Sequence, residues 1–182
     1  MSKRLFDLSI ALIGIVSLAP FLILGWIAAS YDTSSSGVFY QKRIGQYGRP
    51  FTIYKLRTIH FRTKKISRLG SWFRATKIDE LPQLINILRG QMSFVGPRPD
   101  VPGYYDQLQG ESRKILELKP GLTSEASLKY ADEEVLLAQQ ADPLGYNDGI
   151  IFPDKVRINL DYYYSHSFLG DLKVILRTLV RK

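Results

Sequence analysis

The sequence predicts an α+β fold that is mostly helical, and three features of the chain support this prediction. An uncharged apolar run from Leu8 to Ser30 is long enough for a membrane helix. Two short segments rich in Val, Phe, Tyr and Ile flank the turn "GQYGRP" and predict a small β-hairpin. Apolar residues at helical spacing in "DELPQLINILRG" and in the basic C-terminal segment predict amphipathic helices.

The composition limits the chemistry and the partners. The chain of 182 residues has a formal charge of +8, which favours nucleic acid, phospholipid headgroups or a phosphorylated substrate as partner. It has no cysteine, which excludes disulfides, thiolate zinc sites and cysteine nucleophiles. Because His60 and His166 are isolated in sequence, a metal would have to be held by carboxylates, and these favour a hard ion such as Mg²⁺.

The N-terminal apolar run fits a membrane in two ways. Its 23 residues would form a helix about 35 Å long, enough for a straight span of a hydrocarbon core of about 30 Å. Pro20, near the midpoint, lacks an N–H and clashes with the carbonyl of Val16, which predicts a break. Basic residues flank both ends, and the positive-inside rule places both flanks in the cytoplasm. A re-entrant helix broken at Pro20, with freed backbone groups covered by Ser17 or other local partners, satisfies both observations. Kinked spanning helices are also common, so these residues alone leave both forms open.

Two further segments have the composition of interfacial helices. In "SFLGDLKVILRTLVRK" one helical face is apolar and the remainder is basic: Phe168, Leu169, Leu172, Ile175, Leu176, Leu179 and Val180, against Lys173, Arg177, Arg181 and Lys182. A terminal helix packed on the core would explain the same pattern. In "LGSWFR", Trp72 and Phe73 lie among arginines, a combination that favours headgroup depth.

The acidic pair Asp79-Glu80 follows a long basic stretch. The 46 residues from Thr33 to Ile78 contain eleven Lys or Arg and no Asp or Glu. Asp79 could be the N-cap of the next helix, with Pro82 in its first turn, and this explanation needs no function. A functional interpretation makes one carboxylate a nucleophile and the other a Mg²⁺ ligand, with nearby cations keeping Asp79 ionised.

Cations on rigid elements suit the phosphate of a substrate. Lys55 and Arg57 alternate with apolar residues on a predicted strand, so both should point to one face. Arg98 lies between Pro97 and Pro99, which restrict its backbone and thus the direction of its guanidinium. These residues and the acidic pair together favour phosphate chemistry.

Sequence motifs along nearly the whole chain form a pattern. The most specific is "IDELPQLINILRGQMSFVGPRP" at 78–99. The others are "KRLFD" at 3–7, the proline at 20, "YQKRIG" at 40–45, "IYKLRT" at 53–58, "KPGLT" at 119–123 and "DYYYSHSFLGDLKVILRT" at 161–178. With these motifs the chain resembles the bacterial sugar transferase family, the small monotopic phosphoglycosyl transferases that start lipid-linked glycan assembly.

The resemblance implies a Mg²⁺-dependent, two-step transfer. A UDP-sugar would give its sugar 1-phosphate to polyprenol (undecaprenyl) phosphate and release UMP. The family's aspartate, here Asp79, forms a covalent aspartyl-phosphosugar that the lipid phosphate displaces in a ping-pong sequence, and Glu80 helps bind the metal. The other site residues that it implies are phosphate-binding cations and supporting acids: Lys55, Arg57, Arg74 and Arg98, then Asp161 and Asp171.

The resemblance also implies a location and a set of partners. It predicts a re-entrant helix over residues 1–31 and a single catalytic domain over 32–182, at the cytoplasmic face of the bacterial inner membrane. The expected partners are the UDP-sugar, polyprenol phosphate and membrane phospholipid, not nucleic acid, and a homodimer stays open. The alternatives are a membrane-tethered basic module that binds nucleic acid or anionic lipid without catalysis, and a hydrolase of phosphorylated lipids that uses the same aspartate.

The chain departs from the family pattern at a few positions. The link over residues 58–68 is short for the family, and Ala19 stands where Ser often precedes the proline. Ser124 follows "PGLT" where Gly is usual. These departures leave the core chemistry intact, but the sequence does not identify the sugar.

Overall fold

The computed structural model describes residues 3–180, which form two compact units. Within the described residues, the first unit comprises residues 3–43 and 50–91, and the second comprises residues 44–49 and 92–180. The described residues are mostly helical and include two small two-stranded sheets. The predicted mostly helical α+β class is therefore confirmed.

The first unit begins with helix α1, Lys3–Thr33, whose length and apolar composition suit a membrane helix. Its buried residues recur along one narrow face and are mostly small: Asp7, Ala11, Gly25, Ala29 and Thr33. A Cβ on Gly14 would lie 3.2 Å from Leu84, so little room remains for a larger side chain there. The large apolar residues on the other faces are exposed, among them Ile13, Val16, Phe21, Leu24 and Ile27. Such a helix packs on protein along one face and can present the others to lipid.

Helix α1 continues through Pro20, so the predicted break at this residue is not confirmed. The proline removes one backbone donor, and the turns on either side keep their own hydrogen bonds. The hydroxyl of Ser17, expected to cover backbone groups freed at a break, donates to the carbonyl of Ile13 at 2.7 Å. Hydroxyl bonds of this kind often bend a helix without ending it.

The predicted β-hairpin is present. Strand β1, Val38–Ile44, pairs with strand β2, Pro50–Leu56. Helix α2, Arg68–Ala75, follows, and the hydroxyl of Ser67 caps it by accepting a hydrogen bond from the N–H of Gly70 at 3.0 Å. The core of this unit contains Ala29, Leu56 and Phe73, which join α1, β2 and α2.

The segment predicted as one helix from Asp79 has two parts. Residues Ile78–Gln83 form a 3₁₀ helix, and α3, Leu84–Leu88, follows it. Gly90 ends this helix with a positive φ of 78°. The spacing of Leu81, Leu84, Ile85 and Leu88 predicts one buried apolar face, and this prediction is partly wrong because Ile85 is 40% exposed. The 3₁₀ turn has three residues instead of 3.6, so it rotates the face that the following residues bury.

The second unit contains a parallel strand pair that the sequence did not predict. Strand β3, Ser93–Val95, pairs with β4, Gly121–Thr123. A Cβ on Gly96 would collide with the carbonyl oxygen of Lys119, and one on Gly121 with the nitrogen of Gly96. Glycine is therefore required where the "GPRP" and "KPGLT" motifs meet.

The other regular elements described in the second unit are helical. They are 3₁₀ turns at Gln46–Gly48, Tyr105–Gln107 and Gly110–Glu117, α4 (Glu125–Lys129), α5 (Glu133–Ala138), α6 (Pro143–Tyr146), a π-helical turn (Asn147–Ile151), α7 (Phe152–Ser165) and α8 (Phe168–Val180). The pattern "DPLGYNDGIIFPD" at 142–154 predicts a loop, and this prediction is wrong, because the carboxylate of Asp142 accepts the N–H of Gly145 at 2.9 Å and starts α6.

The predicted C-terminal helix is confirmed as α8. One side of this helix is buried, and the other side is exposed. Asp171 and Val174 are buried on its inner face. Leu169, Leu176 and Leu179 are 60–77% exposed on the other side. Arg181 and Lys182 of the predicted basic edge lie outside the described residues. The exposed apolar face fits an interfacial helix better than one that is wholly packed on the core.

Candidate active site

The acidic pair is buried in the first unit. Asp79 and Glu80 are each only 7% exposed, within the 3₁₀ segment Ile78–Gln83. The N-cap position belongs to Lys77, which has a left-handed backbone with φ of 57°. The simple explanation of Asp79 as a helix cap is therefore wrong, because Asp79 already lies inside the helical turn.

Glu80 is held by a lysine on the neighbouring strand. The Nζ of Lys55 lies 2.9 Å from Oε1 of Glu80, and both side chains are largely removed from solvent. Removing one partner of such a pair leaves an uncompensated buried charge, which is costly. Strand β2 thus fixes a cation beside the acidic pair, as the sequence predicted for Lys55.

Asp79 is in a less favourable environment than Glu80. Its Oδ1 is buried and has no hydrogen-bond partner within residues 3–180. Burial, and then the charge of Glu80, raise the pKa of Asp79 above its usual range. The nearby cations act in the opposite direction without outweighing burial: Lys55, Lys77 and Arg74. The direction of the pKa shift is therefore set by burial, which the sequence did not indicate, and the expectation that Asp79 stays ionised remains a prediction.

The two candidate arginines of this unit are held differently. Arg74 on α2 donates from Nε to the hydroxyl of Thr58 at 3.0 Å, and its charge acts on Asp79. Arg57 lies one residue beyond the end of β2 and donates from Nε to the carbonyl of Ser36 at 2.9 Å. Its guanidinium also lies 5.5 Å from the ring centre of Phe39. Arg57 therefore anchors the chain that leads into β1.

Sequence reasoning missed Asn86, which joins α3 to the strand that carries Lys55. Asn86 is completely buried; its Nδ2 donates to the carbonyl of Thr52 at 2.7 Å, and its Oδ1 accepts the N–H of Tyr54 at 3.3 Å. These bonds satisfy backbone groups that a hairpin edge otherwise leaves unpaired. The one available signal was a polar residue within the apolar run "LINIL".

The remaining predicted residues lie in the second unit. Arg98 is exposed between buried Pro97 and Pro99, in a loop fixed by the N–H of Gly121, which donates to the carbonyl of Pro97 at 2.9 Å. The prolines therefore hold the backbone on both sides of this arginine, as the sequence predicted.

The two supporting acids of this unit differ in burial. Asp171 is buried and accepts a hydrogen bond from the hydroxyl of Tyr162 at 2.6 Å. Asp161 is exposed near the end of α7, with its carboxylate 3.8 Å from Arg157. Asp171 thus stabilises the junction of α7 and α8, while Asp161 faces solvent.

The acidic pair could supply the carboxylate ligands of a divalent ion whose other ligands are substrate phosphates and water. Within residues 3–180 no group of three or more His, Asp or Glu could by itself hold a metal. Mg²⁺ is usually bound through one or two carboxylates, with phosphates and water as its other ligands. The carboxylate of Glu80, which lies beside Asp79 and is ion-paired with Lys55, is an oxygen donor of this type.

Comparison with known proteins shows that the chain is similar to sugar transferases over its whole length. A family model described as "Bacterial sugar transferase" matches residues 1–182. A "UDP-glucose:undecaprenyl-phosphate glucose-1-phosphate transferase" of Caulobacter vibrioides is 34% identical, over 98% of this chain and 68% of that protein. An "Uncharacterized sugar transferase EpsL" of Bacillus subtilis is 34% identical, over 99% of this chain and 86% of that protein. An "Undecaprenyl-phosphate glucose phosphotransferase" of Komagataeibacter xylinus is 31% identical; the match covers 100% of this chain but only 36% of that protein.

Proposed function

Because the chain belongs to the bacterial sugar transferase family, we propose that it transfers a sugar 1-phosphate from a UDP-sugar to polyprenol phosphate. The products are UMP and a polyprenol diphosphate sugar, which begins the assembly of a bacterial polysaccharide or other glycoconjugate. Relatives named for undecaprenyl phosphate support this acceptor. The observation that carries the proposal is the buried Oδ1 of Asp79, which lacks a partner beside an ion-paired Glu80.

The proposed first step uses Asp79 as the nucleophile. A carboxylate oxygen of Asp79 attacks the phosphorus that bears the sugar, and the bond from that phosphorus to the bridging oxygen of UMP breaks. UMP leaves with the bonding electron pair. In the second step an oxygen of polyprenol phosphate attacks the same phosphorus, and the bond to Asp79 breaks, which regenerates the carboxylate. No proton has to be removed from either nucleophile, since both are already anionic.

Phosphate binding by cations is the other requirement of this chemistry. An anionic nucleophile must approach an anionic diphosphate, and fixed positive charge lowers that electrostatic barrier. Lys55 and Arg74 are held by hydrogen bonds and act on Asp79. We propose that they bind the donor phosphates and that Arg98, held between two buried prolines, also binds phosphate. Arg57 is the weaker candidate, because its guanidinium is already bonded to backbone carbonyls.

Mg²⁺ is the proposed cofactor, held through Glu80 and the substrate phosphates. When bound, it would neutralise charge on the diphosphate and on the departing UMP. The Lys55–Glu80 pair keeps this carboxylate compensated within the protein itself. Asp161 and Asp171 are proposed as supporting acids, and Asp171 is held by the hydroxyl of Tyr162.

The contacts of helix α1 favour a re-entrant path through the membrane. Near its start, Arg4 donates to the carbonyl of Ile87 at 2.8 Å; at its end, Asp32 accepts the hydroxyl of Ser67 at 2.6 Å. Both partners belong to the same compact unit. The 31 residues of a straight helix extend about 46 Å, so a straight span would place these ends on opposite membrane faces. We therefore propose that both ends lie on the cytoplasmic face of the inner membrane, where the reaction takes place.

Release of UMP tests the proposed activity. Purified protein is incubated with a panel of UDP-sugars, with and without polyprenol phosphate and Mg²⁺. The proposal predicts turnover for at least one UDP-sugar that needs both polyprenol phosphate and Mg²⁺. Release at the same rate without the lipid would instead indicate a hydrolase, and no release from any donor would contradict the proposal.

Cysteine labelling tests the path of α1. The chain has no cysteine, so Ser2→Cys and Tyr47→Cys each introduce a single thiol. A re-entrant helix predicts that a membrane-impermeant thiol reagent added to intact inner-membrane vesicles of known orientation labels both variants equally. Labelling of the two from opposite sides would show a straight span.

A further inference from the structure

A short ordered hairpin follows β2 and is rich in cations; we call residues 59–68 the basic hairpin. Ile59 and Ile66 form an isolated antiparallel bridge at its base. Within it the N–H of His60 donates to the carbonyl of Lys65 at 2.9 Å, and the N–H of Lys64 donates to the carbonyl of His60 at 3.0 Å. The ring of His60 also accepts the N–H of Arg62 at 3.2 Å. The hairpin is thus a defined structure that fixes where its side chains point.

The side chains of the basic hairpin combine exposed charge with exposed apolar surface. Its exposed cations are Arg62, Lys64, Lys65 and Arg68. None of these four forms an ion pair with an acid in residues 3–180, and the sequence from 33 to 78 contains no Asp or Glu. Phe61 is 55% exposed at the tip, with the ammonium of Lys64 5.0 Å from its ring centre. An aromatic residue among uncompensated cations suits the headgroup layer of an anionic membrane.

The basic hairpin is attached to the C-terminal end of the membrane helix. The N–H of Phe61 donates to the carbonyl of Thr33, the last residue of α1, at 2.9 Å. Tyr31, two residues before Thr33 on α1, is 91% exposed, and Trp72 on α2 is 53% exposed. Whether α1 spans the bilayer or re-enters it, this end of the helix lies at the membrane surface. The hairpin therefore lies at the depth where headgroups are found.

We propose that the basic hairpin binds anionic phospholipid headgroups, with Phe61 and Trp72 among the headgroups. Charge complementarity and continuity with α1 favour a lipid surface over nucleic acid, which would not require an adjoining apolar helix. A Lys or Arg close to an anionic leaflet strengthens binding by about fivefold. The proposal depends on the membrane placement of α1, and it does not depend on the transfer reaction.

Hydrogen exchange of the full-length protein in nanodiscs tests this proposal. Amides of residues 59–68 are compared in phosphatidylcholine alone and in mixtures with phosphatidylglycerol. The expected result is slower exchange as the fraction of phosphatidylglycerol rises, reversed by added salt because screening weakens surface charge pairs. Exchange in α1 serves as the internal reference, since insertion is expected in both lipids.

Matched variants identify the residues that are responsible. Arg62→Gln with Lys65→Gln removes two charges from the hairpin, and Arg113→Gln with Lys114→Gln removes two from the second unit. The hairpin variant should bind the anionic surface about fivefold more weakly per charge removed, and so lose protection at a phosphatidylglycerol content that protects the natural sequence. The control variant should retain it. Equal protection in both lipids, or protection by an added RNA oligonucleotide in neutral nanodiscs instead, would overturn the proposal.

Release of UMP in detergent separates this proposal from the proposed function. The hairpin variant should release UMP at the rate of the natural sequence, since neither changed residue contacts the acidic pair. If neither the natural sequence nor the variants release UMP but lipid-dependent protection persists, the proposed transfer activity is contradicted and the proposed lipid binding is supported. If the natural sequence and the variants all release UMP but none shows lipid-dependent protection, only the proposed lipid binding is contradicted.

Discussion

Asp79 in the first unit and Asp154 in the second are both aspartates near cations, but their environments are opposite. The carboxylate of Asp154 accepts hydrogen bonds from Lys129 at 2.6 Å, from Tyr130 at 2.7 Å and from Arg157 at 2.7 Å. These donors hold the pKa of Asp154 well below its usual range. Asp79 is buried with one oxygen unpartnered, and burial raises its pKa.

The difference separates a structural acid from an acid kept available for chemistry. Three donors use the lone pairs of Asp154, so this carboxylate stabilises the junction of α4 and α7. The oxygen of Asp79 has no such donor within residues 3–180, which costs folding free energy but leaves a lone pair that can attack phosphorus. Burial also removes the water that would otherwise shield the carboxylate. Stability given up at one buried acid is the usual sign of a functional position.

The largest expected effect is on turnover. Asp79→Asn removes the proposed nucleophile and should lower the rate of UMP release by at least about 10³-fold. Asp154→Asn is the matched control, since the same change at a structural acid should leave the rate within severalfold. The measurement is UMP release with donor and acceptor at saturation. Equal losses in the two variants would mean that the contrast between these acids has no catalytic meaning.

Lys55 on β2 and Arg57 just after it allow a second comparison, between a proposed phosphate ligand and a structural cation. Lys55→Gln removes the partner of Glu80 and a proposed phosphate ligand, and should lower turnover by about 10²–10³-fold. Arg57→Gln removes bonds to backbone carbonyls and should mainly lower the unfolding midpoint, with a much smaller loss of turnover. Both quantities are measured on each variant in the same detergent. If Arg57→Gln loses as much turnover as Lys55→Gln, then Arg57 belongs among the phosphate ligands.

Stability should change in opposite directions at the two acids. Without metal, Asp79→Asn neutralises a buried and partly unpartnered charge, so the unfolding midpoint should rise. Asp154→Asn weakens charged hydrogen bonds and should cost about 1–2 kcal/mol. Thermal or denaturant unfolding of the two variants beside the natural sequence measures both shifts. A lower midpoint for Asp79→Asn would show that its carboxylate stabilises the fold after all.

The smallest expected effect is a dependence of stability on pH. The pKa of Asp154 is lower in the folded than in the unfolded state, so the ionised form stabilises the fold. This stability is present above the unfolded pKa of about 3.9 and is lost as pH falls through the folded value. Asp154→Asn should therefore show a shallower loss of stability between about pH 5 and pH 3 than the natural sequence. Parallel pH profiles would contradict the structural role of Asp154.

Much of the fold could be predicted from the sequence, where local pattern determines structure. The apolar run, the hairpin around "GQYGRP" and the last helix all formed, because periodicity and turn residues act locally. Lys55 reached Glu80, since alternation on a strand fixes the direction of a side chain. Arg57 differed because β2 ends one residue before it.

The parts that failed depend on contacts distant in sequence. The parallel pair β3–β4 joins Ser93 to Gly121 and Val95 to Thr123, residues far apart in the chain, and no local period indicates such a pairing. The role of Asn86 follows from strand β2, which lies more than thirty residues earlier. The pKa direction of Asp79 depends on how deeply tertiary packing buries it, whereas charge counting along the sequence sees only the cations.

The most direct test of the account is isolation of the covalent intermediate on Asp79. The protein is incubated with Mg²⁺ and a UDP-sugar labelled in the phosphate that bears the sugar, without acceptor, and the labelled peptide is then sequenced by mass spectrometry. The account predicts one phosphosugar on Asp79, its loss on addition of polyprenol phosphate, and no label on Asp79→Asn. Label on another residue, or an equal amount of label on Asp79→Asn, would contradict it.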